Sequence, residues 1–448
     1  MSLINRRYLL PIWLMNLGTL AIGLAYPSHL PLRAADAAKK AIIYVESEVP
    51  PYTLPNPLLG ENGLRITTPR SWNDLRRPAL LKTFEREIYG KTLVGRPATL
   101  RFAVREEKKD SYGGRATRLR IGVLFEGTEE GRQMELLVYL PNQIKGPVPM
   151  FLGLNFDGNY TTTDDPDLPV PRHWVNGLFY NHVPDHRPAE GSRGINQHMW
   201  PIGYALENGY GVATAGYGEI EPDEPGRWKE GPRGLAPEPG AGDWGCLGAW
   251  AWGLSRALDY LETNPRVDSQ RVAVMGFSRL GKAAVWAAAQ DQRFALVVSQ
   301  ASGAAGVALS KRLFGEEIDH LANQLGHWFA PNFTNYVDKE YALPVDQHEL
   351  VALLAPRPVL ILSGTTDLWS DPKGEFLGAL GADPVYRLFH TDGLAVKEWP
   401  GPSRLIASTL GYYLRPGAHD VTFEDWQAMI HFAELHLARK TNSKSPSK

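Results

Sequence analysis

The segment that most constrains this chain is Gly276-Phe277-Ser278-Arg279-Leu280-Gly281-Lys282. An apolar run, Val272-Ala273-Val274-Met275, leads into it, and an alanine-rich stretch at 283–289 follows. This reads as strand, sharp turn and helix, with a serine at the turn. Such a turn lifts the serine Oγ out of a sheet and sets it beside the positive end of a helix. Serine is a poor nucleophile unless an imidazole takes its proton and a carboxylate orients that imidazole. The rest of the chain must therefore supply both, each at the end of a strand.

Two later segments meet that demand. Pro358-Val359-Leu360-Ile361-Leu362 has the pattern of a buried strand and runs into Ser363-Gly364-Thr365-Thr366-Asp367. Thr409-Leu410-Gly411-Tyr412-Tyr413-Leu414 reads as another strand, and the turn after it ends in His419. The order Ser278, Asp367, His419 is that of α/β-hydrolases. All three lie just past the C-terminal ends of apolar runs, where open α/β sheets place their sites. Asp371 and Asp420 compete for the acid role, although Asp420 adjoins the histidine and is poorly placed to reach its Nδ1. The serine motif is irregular, because Leu280 occupies the usual second glycine and Gly281 comes one residue late.

Strands alternating with helices predict an α/β-hydrolase fold, a three-layer α/β/α sandwich with a mainly parallel sheet and long loops over the site. Residues 72–89 read as a helix, 118–125 and 134–140 as a hairpin, and 148–155 as a central strand. Further strands are expected at 212–215 and 295–298, and helices at 246–262 and 422–439. Residues 156–203 and 216–244 read as loops, the first as an insertion over the site. The expected organisation is an export signal at 1–35, one catalytic domain at 36–440 and a polar tail at 441–448. The signal reading rests on Arg6-Arg7 before an apolar stretch at 8–25, with small residues following. Asn5-Arg6-Arg7-Tyr8-Leu9-Leu10 also fits a twin-arginine signal. Pro11, Asn16 and Gly18 interrupt the stretch and argue against stable membrane insertion. The protein is therefore expected in the periplasm or outside the cell.

A net charge of −2 removes any bulk attraction to nucleic acid or anionic membrane. Cys246 is the only cysteine, so no intrachain disulfide can form. The histidines show no metal-ligand spacing, and neither a metal nor a cofactor is expected. The 44 glycines and 35 prolines, with 13 tryptophans and 18 tyrosines, point to long ordered loops carrying aromatic surface.

Together these segments resemble the bacterial glucuronoyl esterases, α/β-hydrolases of carbohydrate esterase family 15. The pattern G-x-S-R-x-G-K is complete at 276–282. Asp243-Trp244-Gly245, the run Trp250 to Arg256, Ser302-Gly303, Gly315-Glu316 and His327-Trp328-Phe329 are similar to it as well. So are Asp367-Leu368-Trp369, Gly374-Glu375-Phe376 and Arg415-Pro416-Gly417-Ala418-His419. The resemblance spans about 40–435 and departs at one point. Many members carry the acid as Glu in E-S-G, where this chain has Ala301-Ser302-Gly303. Some bacterial members carry it instead in D-x-W, which Asp367-Leu368-Trp369 matches.

The resemblance implies a serine esterase that cleaves esters of (4-O-methyl-)glucuronic acid on xylan with lignin-type alcohols. Ser278 would attack, His419 would move the proton and Asp367 would orient it. Arg279 would serve the oxyanion through its backbone N–H and its guanidinium. Lys282, one helical turn past Ser278, would bind substrate with Glu316, Trp369 and, on a looser match, Gln324. Trp328 is expected to be core. A monomer acting on glucuronoxylan or lignin–carbohydrate esters is the expected assembly. An acetyl xylan or other acyl esterase is the alternative, and a non-catalytic carbohydrate-binding protein a more distant one.

Overall fold

The computed structural model describes residues 41–60, 63–177 and 186–438. The expected export signal and polar tail lie outside these residues. Among the described residues, nine strands form one sheet: β1 (Arg101–Ser111), β2 (Ala116–Leu124), β3 (Gln133–Pro141), β4 (Val148–Asn155), β5 (Gly211–Gly216), β6 (Val267–Phe277), β7 (Leu296–Gln300), β8 (Val359–Gly364) and β9 (Leu410–Arg415). Their order is β1-β2-β3-β5-β4-β6-β7-β8-β9. From β5 to β9 every pairing is parallel, and β1, β2, β3 and β5 pair antiparallel. The sheet is therefore mainly parallel, as expected, with an antiparallel flank.

The strand sequences follow from where the strands sit. β4, β5, β7, β8 and β9 are buried along their whole length, and parallel strands covered on both faces need continuous apolar runs. β1 is an edge strand and reads Arg-Phe-Ala-Val-Arg-Glu-Glu-Lys-Lys-Asp-Ser, with most of its residues facing solvent. The outer side of β9 is closed by a short return segment: Ile406 and Tyr412 exchange backbone bonds, and Ser403 N–H donates to Leu414.

The helix expected at 246–262 is Cys246–Leu261, and all but one of its residues are buried. It packs against the Arg279–Gln290 helix that follows the serine. The closing helix is Phe423–His436, three residues shorter than expected at its C-terminal end, and Thr422 with Asp425 forms its capping box.

The expected helix at 72–89 instead starts at Pro69 and includes two wide turns, Trp72–Arg76 and Glu85–Tyr89. Pro78 supplies a physical reason for the first, because it has no N–H to close the preceding turn. The run ends at Gly90, whose φ is +83° and whose missing Cβ would lie 2.2 Å from the Asp243 carbonyl carbon. Tyr89 stacks on Trp286 of the Arg279–Gln290 helix at 4.4 Å. The helical run at 69–89 is thus built into the layer that carries the serine.

The 156–203 segment is less of a surface loop than its composition suggests. Residues 156–163 are buried; Asn155 Oδ1 accepts from Gly158 N–H at 2.8 Å, Asn159 Nδ2 donates to Glu135 O at 2.8 Å, and Asn155 Nδ2 donates to Asn159 Oδ1 at 2.9 Å. Residues 178–185 lie outside the described set.

Candidate active site

The turn after β6 is as tight as the sequence implied. Ser278 has φ +56° and ψ −129°, a region that costs an L-residue energy and persists only where the surroundings enforce it. Ser278 N–H donates to Gln300 O on β7 at 2.8 Å, and Ser278 O accepts from Gly281 and Lys282 at the helix start. A Cβ on Gly276 would sit 2.0 Å from Leu280 O. One on Gly281 would sit 2.9 Å from Gly276 O and 3.0 Å from Ser302 Cβ. The second close approach of this elbow therefore falls at 281 and not at 280, which accounts for the displaced glycine.

Asp367 follows β8 and His419 follows β9, at the same end of the parallel sheet. The His419 Nδ1 lies 2.6 Å from Asp367 Oδ2. The other carboxylate oxygen of Asp367 accepts from Ser370 N–H at 3.4 Å, and Ser370 Oγ lies 3.3 Å from the same His419 nitrogen. Asp367 is buried, whereas the imidazole keeps partial exposure. With Nδ1–H donated to the carboxylate, Nε2 is left as the proton acceptor. The imidazole also packs on Phe277, the residue before the serine, at 4.4 Å between ring centroids.

The histidine turn is wrapped around Arg415. Its guanidinium donates to the carbonyls of Pro416, Ala418 and Asp420 and pairs with Asp425 at 3.0 Å. Neither competing acid takes the position of Asp367. Asp371 pairs with Arg312 at 2.9 Å and caps the Pro372–Leu388 helix through Gly374 N–H. Asp420 lies 3.4 Å from His198 and bonds the N–H of Val421.

The remaining expected residues are distributed unevenly. Arg279 is paired with Asp223, and its guanidinium lies over the Trp328 ring at 4.7 Å. Trp328 is buried, as its core reading required. Lys282 differs from the expectation of a donor aimed at substrate. Only 3% exposed, it donates to Ser302 O at 2.6 Å, Ala304 O at 2.7 Å and Glu316 Oε2 at 2.6 Å. An ammonium has three donors, so a sugar hydroxyl must share or displace one of these bonds. Glu316 is tied to Trp369 through the backbone, its N–H donating to Trp369 O at 2.8 Å. Trp369 is half-buried and meets His320 edge-on at 4.8 Å. Gln324 is exposed at the end of the Ile318–Gln324 helix. It lies four residues past His320 and so on the same helix face.

Two carboxylates that sequence reasoning passed over belong to this site. Asp223 accepts from four side chains. Glu375, fully buried, accepts from the N–H groups of Ser302 and Gly303 and from Ser363 Oγ at 2.5 Å. Burial pushes the Glu375 carboxyl up to about 8 despite those bonds. Its position in Gly374-Glu375-Phe376 was visible in the sequence, but nothing there showed that it holds the loop after β7.

Comparison with known proteins places the chain in a family. A carbohydrate esterase from an unknown prokaryotic organism is 44% identical over 409 residues, covering 90% of this chain and 93% of the relative. The chain belongs to carbohydrate esterase family 15. The esterase fold is shared over nearly the whole of two solved structures of the family. One is a promiscuous CE15 esterase from the marine bacterial metagenome, at 45% identity and a TM-score of 0.83, covering 88% of this chain and 100% of that one. The other, a glucuronoyl esterase from Solibacter usitatus, is 42% identical with the same TM-score and coverage. Residues 240–389 also match the family described as glucuronyl esterase, fungi. This family 15 esterase therefore has the α/β-hydrolase fold and is a carboxylic ester hydrolase.

Proposed function

We propose that this esterase hydrolyses glucuronoyl esters with Ser278, His419 and Asp367 as its catalytic triad. Ser278 Oγ attacks the ester carbonyl while His419 Nε2 takes its proton. The same imidazole then protonates the departing alcohol, and water releases the acyl-enzyme by the reverse path. Asp367 holds the tautomer and stabilises the imidazolium. Charge developing on the carbonyl oxygen meets the Arg279 backbone N–H at the helix start and the Arg279 guanidinium. The observation that carries this reading is the 2.6 Å bond from Asp367 to an imidazole packed on the residue before Ser278.

On the sugar side, Glu316 accepts hydroxyls, Lys282 shares its donors, Trp369 offers ring contact and Gln324 lies at the outer edge. The substrate ester is neutral, which suits a site whose charges are already paired, and the product is a glucuronate anion. The natural substrate is read as a glucuronoxylan ester with a lignin-type alcohol. Relatives named as 4-O-methyl-glucuronoyl methylesterases, one of them 38% identical over 151 residues, support that class. A second reading, with simple acyl esters also turned over, is favoured by the relative described as promiscuous.

The test is a substrate panel of benzyl glucuronate, methyl glucuronate, methyl galacturonate and nitrophenyl acetate, run on the wild type and on Ser278→Ala. Glucuronate esters should be preferred, and Ser278→Ala should abolish their turnover with the fold intact. Acetate turnover above that of benzyl glucuronate overturns the substrate assignment. The same reading takes residues 36–440 as one catalytic domain behind an export leader at 1–35 and before a polar tail. N-terminal sequencing of the exported protein checks the leader.

A further inference from the structure

We propose that Asp223 is a positioning residue that locks the Arg279 guanidinium in place for oxyanion stabilisation. This rests on the reading of Ser278 as nucleophile. Asp223 lies in the 216–244 segment, 56 residues before Arg279 in sequence. Its side chain is 3% exposed, and its carboxylate collects donors from three separate parts of the chain. Oδ2 accepts from Arg279 Nη1 and from Tyr217 O–H at 3.0 Å. Oδ1 accepts from His327 Nε2 at 2.8 Å and from Trp328 Nε1 at 2.5 Å.

Trp328 closes the arrangement. Its ring face carries the Arg279 guanidinium at 4.7 Å while its N–H bonds the same carboxylate that pairs with that guanidinium. Cation, ring and anion thus fix one another. A planar guanidinium held at one edge by a carboxylate and on one face by an indole keeps little rotamer freedom.

The segment that delivers Asp223 is itself anchored. Glu221, two residues earlier, pairs with Arg233 at 2.7 Å, and Glu221 O accepts from Trp250 Nε1 at 2.9 Å on the Cys246–Leu261 helix. Burial alone would raise the Asp223 carboxyl, but the His327 and Trp328 bonds and the Arg279 charge hold it below the usual carboxylate range. It remains an anion under working conditions.

An oxyanion donor helps only if it is in place before charge develops, because reorganisation at that moment costs rate. A carboxylate next to Arg279 also cancels part of the charge that would stabilise the oxyanion. The two effects have opposite signs, so their balance can be measured. If orientation dominates, removing the Asp223 charge slows the reaction. If cancellation dominates, removing it speeds the reaction.

The experiment is a double-mutant cycle of Asp223→Asn and Arg279→Ala on benzyl glucuronate, with folding followed by thermal melting. Asp223→Asn should lower kcat on the order of 10- to 100-fold, the scale of a misplaced catalytic group, with KM changed by less than about threefold. In the Arg279→Ala background the same substitution should cost almost nothing further, because its partner is gone. Wild-type or faster kcat in Asp223→Asn, or losses that multiply in the double variant, overturns the proposal. If Asp223→Asn does not fold, Trp328→Phe enters the same cycle. It keeps a ring face and removes one bond to Asp223, and multiplying losses there also overturn the proposal. A wild type inactive on benzyl glucuronate would remove the proposed function itself, whereas an active one with multiplying losses removes only the clamp.

Discussion

The His419–Asp367 bond selects one imidazole tautomer, and an amide in place of the carboxylate would favour the other. Asp367→Asn should therefore lower kcat on the order of 10⁴-fold with little change in melting temperature. Steady-state kinetics on benzyl glucuronate check it, and a loss below about tenfold assigns the acid elsewhere. Adding Ala301→Glu to that variant should restore part of the rate. Ala301 O accepts from Ser370 Oγ, which is 3.3 Å from His419 Nδ1, so a carboxylate at 301 starts one side chain away from the ring. The three residues of the proposed triad stood out in sequence because each ends a strand, and strand ends show as breaks in apolar runs. Asp223 was not legible. It sits between Pro222 and Pro225 in a segment with no periodicity, and nothing local reveals that it faces a residue far along the chain.

The strand–turn–helix element around Ser278 depends on two close backbone approaches. Gly276→Ala would drive a Cβ to 2.0 Å from Leu280 O, so the turn cannot close without moving the serine. That variant should lose both activity and several degrees of melting temperature, measured by calorimetry beside a kinetic assay. Alanine at 276 with wild-type rate and stability would contradict the geometry. The parallel strands and the Cys246–Leu261 helix could be read from pattern, since burial on both faces writes itself as unbroken apolar sequence. The wide turn at 85–89 could not, because a π turn needs the same residues as an α turn, and the one at 72–76 left Pro78 as its one trace. Nor could the protein partners of Lys282 be read. Its spacing places it near Ser278, while its partners, Ser302, Ala304 and Glu316, come from loops.

At the scale of the whole molecule, stability should depend on pH through buried carboxyls. Burial raises Glu375 and Glu219 to about 8 and Glu349 to about 7. The folded state keeps these protons after the unfolded chain has released its own, so this stabilisation is lost as pH rises toward the folded values. His173, lowered to about 4 by burial, acts in the opposite sense, but only below the ordinary histidine range. Melting temperature should therefore fall between about pH 6.5 and 8, by scanning fluorimetry at fixed ionic strength. A flat or rising curve in that window would refute it. Glu375→Gln keeps the shape and removes one titrating group, so its fall should be shallower than that of the wild type.

A sheet of nine strands has two flanks at which another chain could add a strand, and each is blocked in its own way. On β1 the charges of Arg101, Arg105, Glu106, Glu107, Lys108, Lys109 and Asp110 accompany two breaks in register, and Val104 is exposed among them. On β9 the 403–406 return already occupies backbone groups that a newcomer would need. Neither flank presents the long, flat, apolar ladder that seeds aggregation. Crowding near a polymeric substrate should therefore not drive this protein to stack edge to edge.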